Sequence, residues 1–552
     1  MLTLPLEPTD DRARPIFKDA ESCALWLGQL QLTNLQQAHS QLLIQLNELN
    51  RYPMRGLVRL ETLEQLRETI EHVQDDFAKK LIAKPLPLGD NELLVFVAIV
   101  QLWQSLVMGY QRCLQSHISG DKSLQNHGAL LCQRCLHYTG AAIFEHLCTS
   151  YEVDEKLWHQ LHELYAYAEQ NDLQQTDVPD SLKPELPHIN CVSSYVRILL
   201  ACYAHPARLT RWQLQQLDSW LSLWSNEITV KDHCKINKSD AHPLVADLTS
   251  RQGLQQLASI QTRQHDGLRF LAMAPLSKLL RVKTILLQQG QTPLQAGLGD
   301  HYDRKACIDF LTFLHRCWCE NSQQRLGERR STSLAAKICY KFDGIYAHMT
   351  SMPFNPQKPI ETFGRLSHSE IETVSATKRL KQEHELVEMG YPLENWLMQD
   401  ESVSGARLIR EDHVGGRLAH QQLVALRPAG SESFLLGSTA WVNVTRLNQL
   451  QIGVRYLHGQ ALPVTIRQAT LNPSENADCA PGFLFPALPE IKSPASLIVP
   501  REWYKAEHVL ELEHPEGDKI KVKLGFSVEH GADYERVSFK VLKDEKPAPR
   551  RV

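Results

Sequence analysis

Apolar positions recur every three or four residues through roughly the first 320 residues, and every second residue over much of the remaining chain. Thr33-Asn34 reads as an N-cap for a helix with Leu35, Leu42, Leu43, Leu46 and Leu49 on one face, stopped by Pro53. A second helix is expected from about Glu61 to Ala83, with Leu63, Leu66, Ile70, Val73, Phe77 and Leu81 on one side. The proline-broken run from Lys84 to Asp90 ends it and caps a third, Asn91 to Leu114. That helix is apolar on most faces, which predicts a central position. Further helices are expected at 124–147, 155–169, 192–204, 211–226, 254–262, 277–289 and 304–320, joined by polar connectors. The Asp-, His-, Lys- and Asn-rich stretch near 227–251 reads as a loop or small hairpin dividing two lobes. No repeat unit is visible, and the Trp-x-x-Leu-Gly pattern of tetratricopeptide pairs is absent.

Beyond Glu320 the pattern changes. Short alternating runs at Leu334–Phe342, Ala406–Ile409, Gln422–Leu426, Phe434–Val444, Leu450–Tyr456 and Val464–Gln468 are punctuated by glycines and Pro428. Strands at this spacing predict a small closed barrel. A proline-rich segment and a charged helix, Glu370 to Met389, read as an insertion. After a linker at 472–482 the alternation resumes at 483–485, 495–499, 509–513, 520–524 and 537–541. The expected fold class is therefore multidomain α + β. An N-terminal all-α helical array spans 1–320, and a six-stranded β-barrel spans 321–470 with an insertion at 351–397. A small C-terminal β domain follows at 478–545, then a disordered tail at 546–552.

Composition changes this picture little. A formal charge of -4 over 552 residues gives no general case for DNA or RNA binding. The acidic, proline-broken start from Met1 to Asp11 resembles neither a signal nor a transit peptide. The longest apolar run of the helical half, Leu93 to Val100, is short of the ~18 residues a spanning helix needs. The 13 cysteines are scattered. Cys132-Gln-Arg-Cys135 and Cys317-Trp-Cys319 lie in helical stretches without the second pair that structural zinc requires, so buried thiols and no metal are expected. A cytoplasmic protein without a membrane span fits these features.

No enzyme signature is legible. There is no phosphate-binding Gly-x-x-x-x-Gly-Lys, no His-Glu-x-x-His and no Gly-x-Ser-x-Gly, and Gly297-Leu-Gly299 lacks the remainder of a dinucleotide fingerprint. The chain is read as a non-enzyme with neither catalytic residues nor cofactor.

One pattern does carry chemistry. Arg325-Leu-Gly-Glu-Arg329-Arg330 precedes a strand, and Asp400-Glu-Ser402-Val-Ser-Gly405 opens another. Downstream, Gly437-Ser-Thr-Ala-Trp441-Val meets Gly453-Val454. Together these resemble the PilZ domain, a bacterial cyclic di-GMP receptor family, over about 325–468. The resemblance implies that Arg325, Arg329 and Arg330 form a clamp over the barrel. Their guanidiniums would hold phosphate bidentately and stack on or bond to guanine, which lysine cannot imitate. It also implies that Asp400 and Ser402 bond the guanine edge and the ribose or phosphate, while Gly405 allows a close approach. Spacing departs from the family: about seventy residues separate the arginines from Asp400, which requires the insertion to loop out. Without ligand, the arginines would be a solvated helix end and Asp400 an ordinary turn residue. The expected function is a non-catalytic cyclic di-GMP receptor whose occupancy regulates binding of an unidentified protein partner by the helical body. The alternative is a protein-interaction scaffold or adaptor, chaperone-like duties included, whose PilZ-like barrel binds no nucleotide.

Overall fold

The computed structural model describes residues 2–542 apart from 3, 5, 7, 185–187, 235–242, 258–264, 321–329, 356–375, 413, 469–477, 492 and 514–518. The chain divides into two compact units, Met1–Lys84 with Leu88–Arg325, and Pro85–Pro87 with Leu326–Val552.

The first unit is helical: α1 Ala20–Leu27, α2 Leu35–Arg51, α3 Gly56–Ala78, α4 Asp90–Ile118, α5 Gly128–Thr149, α6 Glu155–Gln170, α7 Cys191–Tyr203 and α8 Arg211–Trp224. Asn34 caps α2 by accepting the Gln37 amide. α4 packs against α2, α3 and α5. By length and composition alone it would suffice to cross a membrane; it buries Ile99, Leu102, Leu106 and Leu114 and exposes Leu94 and Val97. The helices start and stop within a few residues of the expected places. The exceptions are α3, which runs Gly56–Ala78 rather than Glu61 to Ala83, and the segment 254–262.

The unit is not purely helical. A small four-stranded sheet is formed by β1 Val230–Lys231, β2 Leu244–Asp247, β3 Gln255–Gln256 and β4 Leu268–Leu271, in the order β1-β4-β2-β3. The helix expected over 254–262 is a strand at Gln255–Gln256, and 258–264 lie outside the described residues. Val245, Leu268 and Phe270 alternate on one face, and that face forms the sheet's own apolar cluster. Helices α9 Ala274–Gln288 and α10 Arg304–Cys319 complete the unit.

An ionic centre ties α3 to α5 and to the loop before α7. Arg67 and Arg134 are each 1% exposed. Arg67 donates to Tyr138 Oη at 2.6 Å and to Asp180 Oδ1 at 2.7 Å. Arg134 Nε donates to Glu64 Oε1 at 2.9 Å, and Tyr110 Oη donates to the same carboxylate at 2.7 Å. Each buried charge thus finds an opposite charge and further hydrogen bonds, without which its desolvation would be prohibitive.

The second unit holds two closed six-stranded barrels. The first is built from β5 Arg330–Tyr340, β6 Glu394–Ser402, β7 Gly405–Arg410, β8 Leu423–Pro428, β9 Leu435–Val444 and β10 Leu450–Tyr456, in the order β10-β7-β6-β5-β8-β9. Closure leaves no exposed sheet edge. Between β5 and β6 lie α11 Phe342–Thr350 and α12 Ala376–Glu388. Glu383 of α12 bonds both Lys337 of β5 and Arg427 of β8 at 2.5 Å, which pins the helix to the barrel wall. β6 begins at Glu394, inside the stretch expected as insertion, because Trp396 and Met398 alternate into the core.

The second barrel comprises β11 Leu462–Gln468, β12 Cys479–Phe485, β13 Ser496–Pro500, β14 Val509–Glu513, β15 Lys519–His530 and β16 Tyr534–Leu542. The run Val464–Gln468, expected in the first barrel, is therefore the opening strand of the second. It pairs with β12 and β14. Residues 479–482, read as linker, belong to β12. Ala425, Leu436 and Leu457 share a fully apolar cluster with Phe483, Phe485, Ile498 and Tyr534, so the barrels pack on a common core. Pro85–Pro87 joins this unit because Leu86 and Leu418 exchange backbone hydrogen bonds, both of 2.8 Å.

Candidate functional site

Asp400-x-Ser402-x-x-Gly405 is the β6–β7 hairpin. Ser402 pairs with Gly405 across the Val403-Ser404 turn, and its hydroxyl donates to the Gly405 carbonyl at 3.1 Å. Gly405 packs against β10, where a Cβ would stand 2.1 Å from the Val454 carbonyl oxygen. Strand approach, with no ligand involved, already requires glycine there. The second glycine signal has the same kind of cause. Gly453 pairs with Trp441, and a Cβ on it would meet the indole Nε1 at 2.1 Å, so the ring covers the glycine.

Asp400 continues the inward alternation of Trp396 and Met398 and is buried. Its Oδ2 lies 2.9 Å from Arg407 Nε, an ion pair along the hairpin's β7 arm. A bulge between Met398 and Asp400 sets this register.

The separation of about seventy residues closes through strand order. β5 leaves the site, and β6 returns antiparallel beside it. Arg330 then pairs with Glu401, and Ser331 with Asp400. Directly paired residues share a face. Arg330 is thus on the Glu401 face, next to the hairpin, and Asp400 is on the Ser331 face. Arg325 and Arg329 lie outside the described residues. Of the six residues singled out in sequence, Arg330, Asp400, Ser402 and Gly405 therefore meet at one end of one barrel.

Three further groups complete this end. Arg407 pairs with Asp400. Arg455, the strand partner of Gly405, reaches Ser438 Oγ at 3.3 Å and is ion-paired with Glu529. Tyr456 donates to Glu401 at 2.9 Å, and burial, then that carboxylate, raise its phenol pKa. The period-two pattern carried a signal for Arg407, which stands two residues beyond Gly405 on a strand paired with β6. Nothing in the local sequence pointed to Arg455, whose strand is a non-sequential neighbour. Chemically, this end offers guanidiniums to phosphate and carboxylates to the N–H edge of a purine.

The opposite end is closed. Arg410, 1% exposed, donates to Glu394 at 2.9 Å and to the Gly416 carbonyl at 2.8 Å. Glu394 also accepts from Tyr340 at 2.7 Å, Trp396 at 3.1 Å and the Gly416 amide at 2.6 Å. Arg410 Nη1 and the Glu394 carboxylate are spent on one another and on the Gly416 backbone, although Arg410 Nε is buried without a partner, so this cluster fixes the loop after β7. Among the described residues no group of three or more His, Cys, Asp or Glu could hold a metal ion.

Residues 21–233 match the family model described as "Cyclic-di-GMP receptor FimW, N-terminal domain", and residues 464–542 match "FimW C-terminal beta-barrel domain". The two ends of the chain match FimW domains. A relative, the cyclic-di-GMP receptor FimW of Pseudomonas aeruginosa, is 20% identical over an alignment covering 94% of this chain and 88% of its own. The N-terminal FimW match takes in nearly all of α1 and the whole of α2 to α8, and the C-terminal match takes in nearly all of the second barrel. The first barrel, with the Asp400 hairpin, lies between the two matched stretches and inside the aligned length of the relative.

Proposed function

We propose that this chain is a non-catalytic cyclic di-GMP receptor whose first barrel is PilZ-like and holds the nucleotide at the Asp400 hairpin. The observation that carries the reading is the β5–β6 register, which pairs Arg330 with Glu401 beside the hairpin despite the long sequence gap. The receptor name of the FimW relative, aligned along nearly the whole chain, supports the ligand. In this reading Arg325, Arg329 and Arg330 close over the nucleotide phosphates. Asp400 accepts from guanine while Arg407 balances its charge, and Ser402 holds the turn. Occupancy then alters partner binding only to the extent that ligand affinity differs between the two conformations. The proposal includes a cytoplasmic location, which suits the free cysteines.

A second reading, a scaffold whose barrel binds no nucleotide, draws on the present engagement of Asp400 by Arg407 and of the Ser402 hydroxyl by Gly405. Calorimetric titration of the full chain with cyclic di-GMP decides between them. The receptor reading expects saturable heat, and at least tenfold weaker binding (about 1.4 kcal/mol) in Arg329→Ala and in Arg407→Ala. No heat and no thermal shift at a concentration of tens of micromolar would leave the scaffold. Full binding by both variants would place the nucleotide elsewhere.

A further inference from the structure

The helical unit contains a cavity of about 350 Å³ between α3, α4, α5, α7 and α8, within the range of small-ligand pockets. It shares no residue with the barrel hairpin. Its wall is aromatic on one side, from Trp103 and Phe144, and charged of both signs elsewhere.

The charges are only partly matched. Arg197 and Asp218 form a bidentate pair at 2.6 and 2.5 Å, complete in itself. Arg211, whose side chain is 8% exposed, touches Glu145 only at 3.5 Å, and its Nε is buried without a hydrogen-bond partner. The indole Nε1 of Trp103 is likewise buried and unpartnered. Lys183 has no carboxylate within ion-pair distance among the described residues, and neighbouring Arg197, then burial, lower its pKa. On the acceptor side, Asp75 at the exposed mouth has no cationic partner within that distance among the described residues. Deeper in, Glu145 is buried and its pKa is raised by that burial. A buried donor without a partner costs about 1–3 kcal/mol, so such groups mark a place where something else completes them.

We infer that this cavity binds a free α-amino acid, a small zwitterion whose carboxylate is taken by Lys183, Arg211 and Trp103 and whose amine is taken by Asp75 and Glu145. A simple anion would leave Asp75 without a cation and Glu145 with only the long contact to Arg211, and a simple amine would leave Arg211 Nε and the Trp103 indole unpartnered. The inference is independent of nucleotide binding at the barrel and would stand if that failed.

The test is thermal shift, then calorimetry, on the full chain with the standard L-amino acids presented singly at millimolar concentration. Inorganic phosphate and 1,3-diaminopropane serve as single-charge probes. One amino acid, or a chemically related few, should raise the melting temperature. Lys183→Met and Asp75→Asn, both at half-exposed or exposed positions, should each bind it at least tenfold more weakly (about 1.4 kcal/mol) while melting as wild type without ligand. Gln215→Trp, at the exposed rim, blocks the mouth without touching a buried charge and should abolish the shift even if the other variants prove unstable. The inference is overturned if no amino acid shifts the protein, if the shift survives all three substitutions, or if phosphate or the diamine alone does as well.

Discussion

Gly405 separates two explanations of the same motif, and Gly405→Ala tests them. The added methyl carbon would stand 2.1 Å from the Val454 carbonyl oxygen, where ordinary contact needs more than 3 Å. The oxygen cannot retreat cheaply, because β10 is hydrogen-bonded to β7 on one side and to β9 on the other. Relief must come from opening the hairpin or shifting β10. Overpacking of this kind costs about 1–3 kcal/mol, and a backbone obstacle argues for the upper half. For a unit of this size about 2–3 kcal/mol lowers the melting temperature by roughly 5–10 °C. Thermal and urea unfolding of the full chain, with Ser402→Ala as a mild neighbour control, measure it. The control should lose no more than about 1 kcal/mol, the worth of one turn hydrogen bond. If Gly405→Ala unfolds like wild type, the strand-packing account is wrong. If it also loses cyclic di-GMP, the glycine is there for the ligand.

Two further outcomes rest on buried charge. Burial raises the Asp533 carboxyl to about 6 although it accepts the Leu423 amide at 2.9 Å, so the native state holds this proton more tightly than the unfolded chain. Its contribution is fully present below the ordinary value near 3.8 and is lost as pH rises through 6. Asp533→Asn, which keeps an acceptor, should therefore stabilise by up to about 3 kcal/mol well above pH 6 and by nothing in acid, as read from urea midpoints across pH. In the helical unit, Arg67→Met leaves Asp180 with Arg134 at 3.5 Å as its one cation among the described residues, beside the Leu182 amide, and should cost about 3–5 kcal/mol in the same assay. A loss under 1 kcal/mol would mean that the centre is wetter than its geometry implies.

Much of the fold was legible because its cues are local. Asn34, Pro53 and the 84–90 run mark helix ends without tertiary help, and five of the six strands of the first barrel are short apolar runs bounded by turn residues. What failed was any feature that depends on which strand neighbours which. Val464–Gln468 alternates like the strands before it, and only pairing with β12 and β14 assigns it to the second barrel. β6 was partly hidden because Asp400, Glu401 and Ser402 are polar residues at its exit. The small sheet at 230–271 consists of strands of two to four residues, too short for a period to show.

The site divides along the same line. The hairpin Asp400–Gly405 is a local object, and its turn chemistry can be read directly. Its meaning depends on Arg330 arriving beside it, which the antiparallel return of β6 decides and sequence distance obscures. Arg455 was unreadable for the converse reason: its partners Gly405 and Glu529 are 50 and 74 residues away, one on β7 and one in the other barrel. That link gives the hairpin a physical route to the second barrel. A phosphate drawing Arg455 away would leave Glu529 with Tyr534, whose hydroxyl already donates to it and whose ring belongs to the shared apolar core. Coupling by this route requires Glu529 to lose a cation on ligand binding. Arg455→Ala should then melt alike with and without nucleotide at the second barrel's own probes, while Arg407→Ala should not.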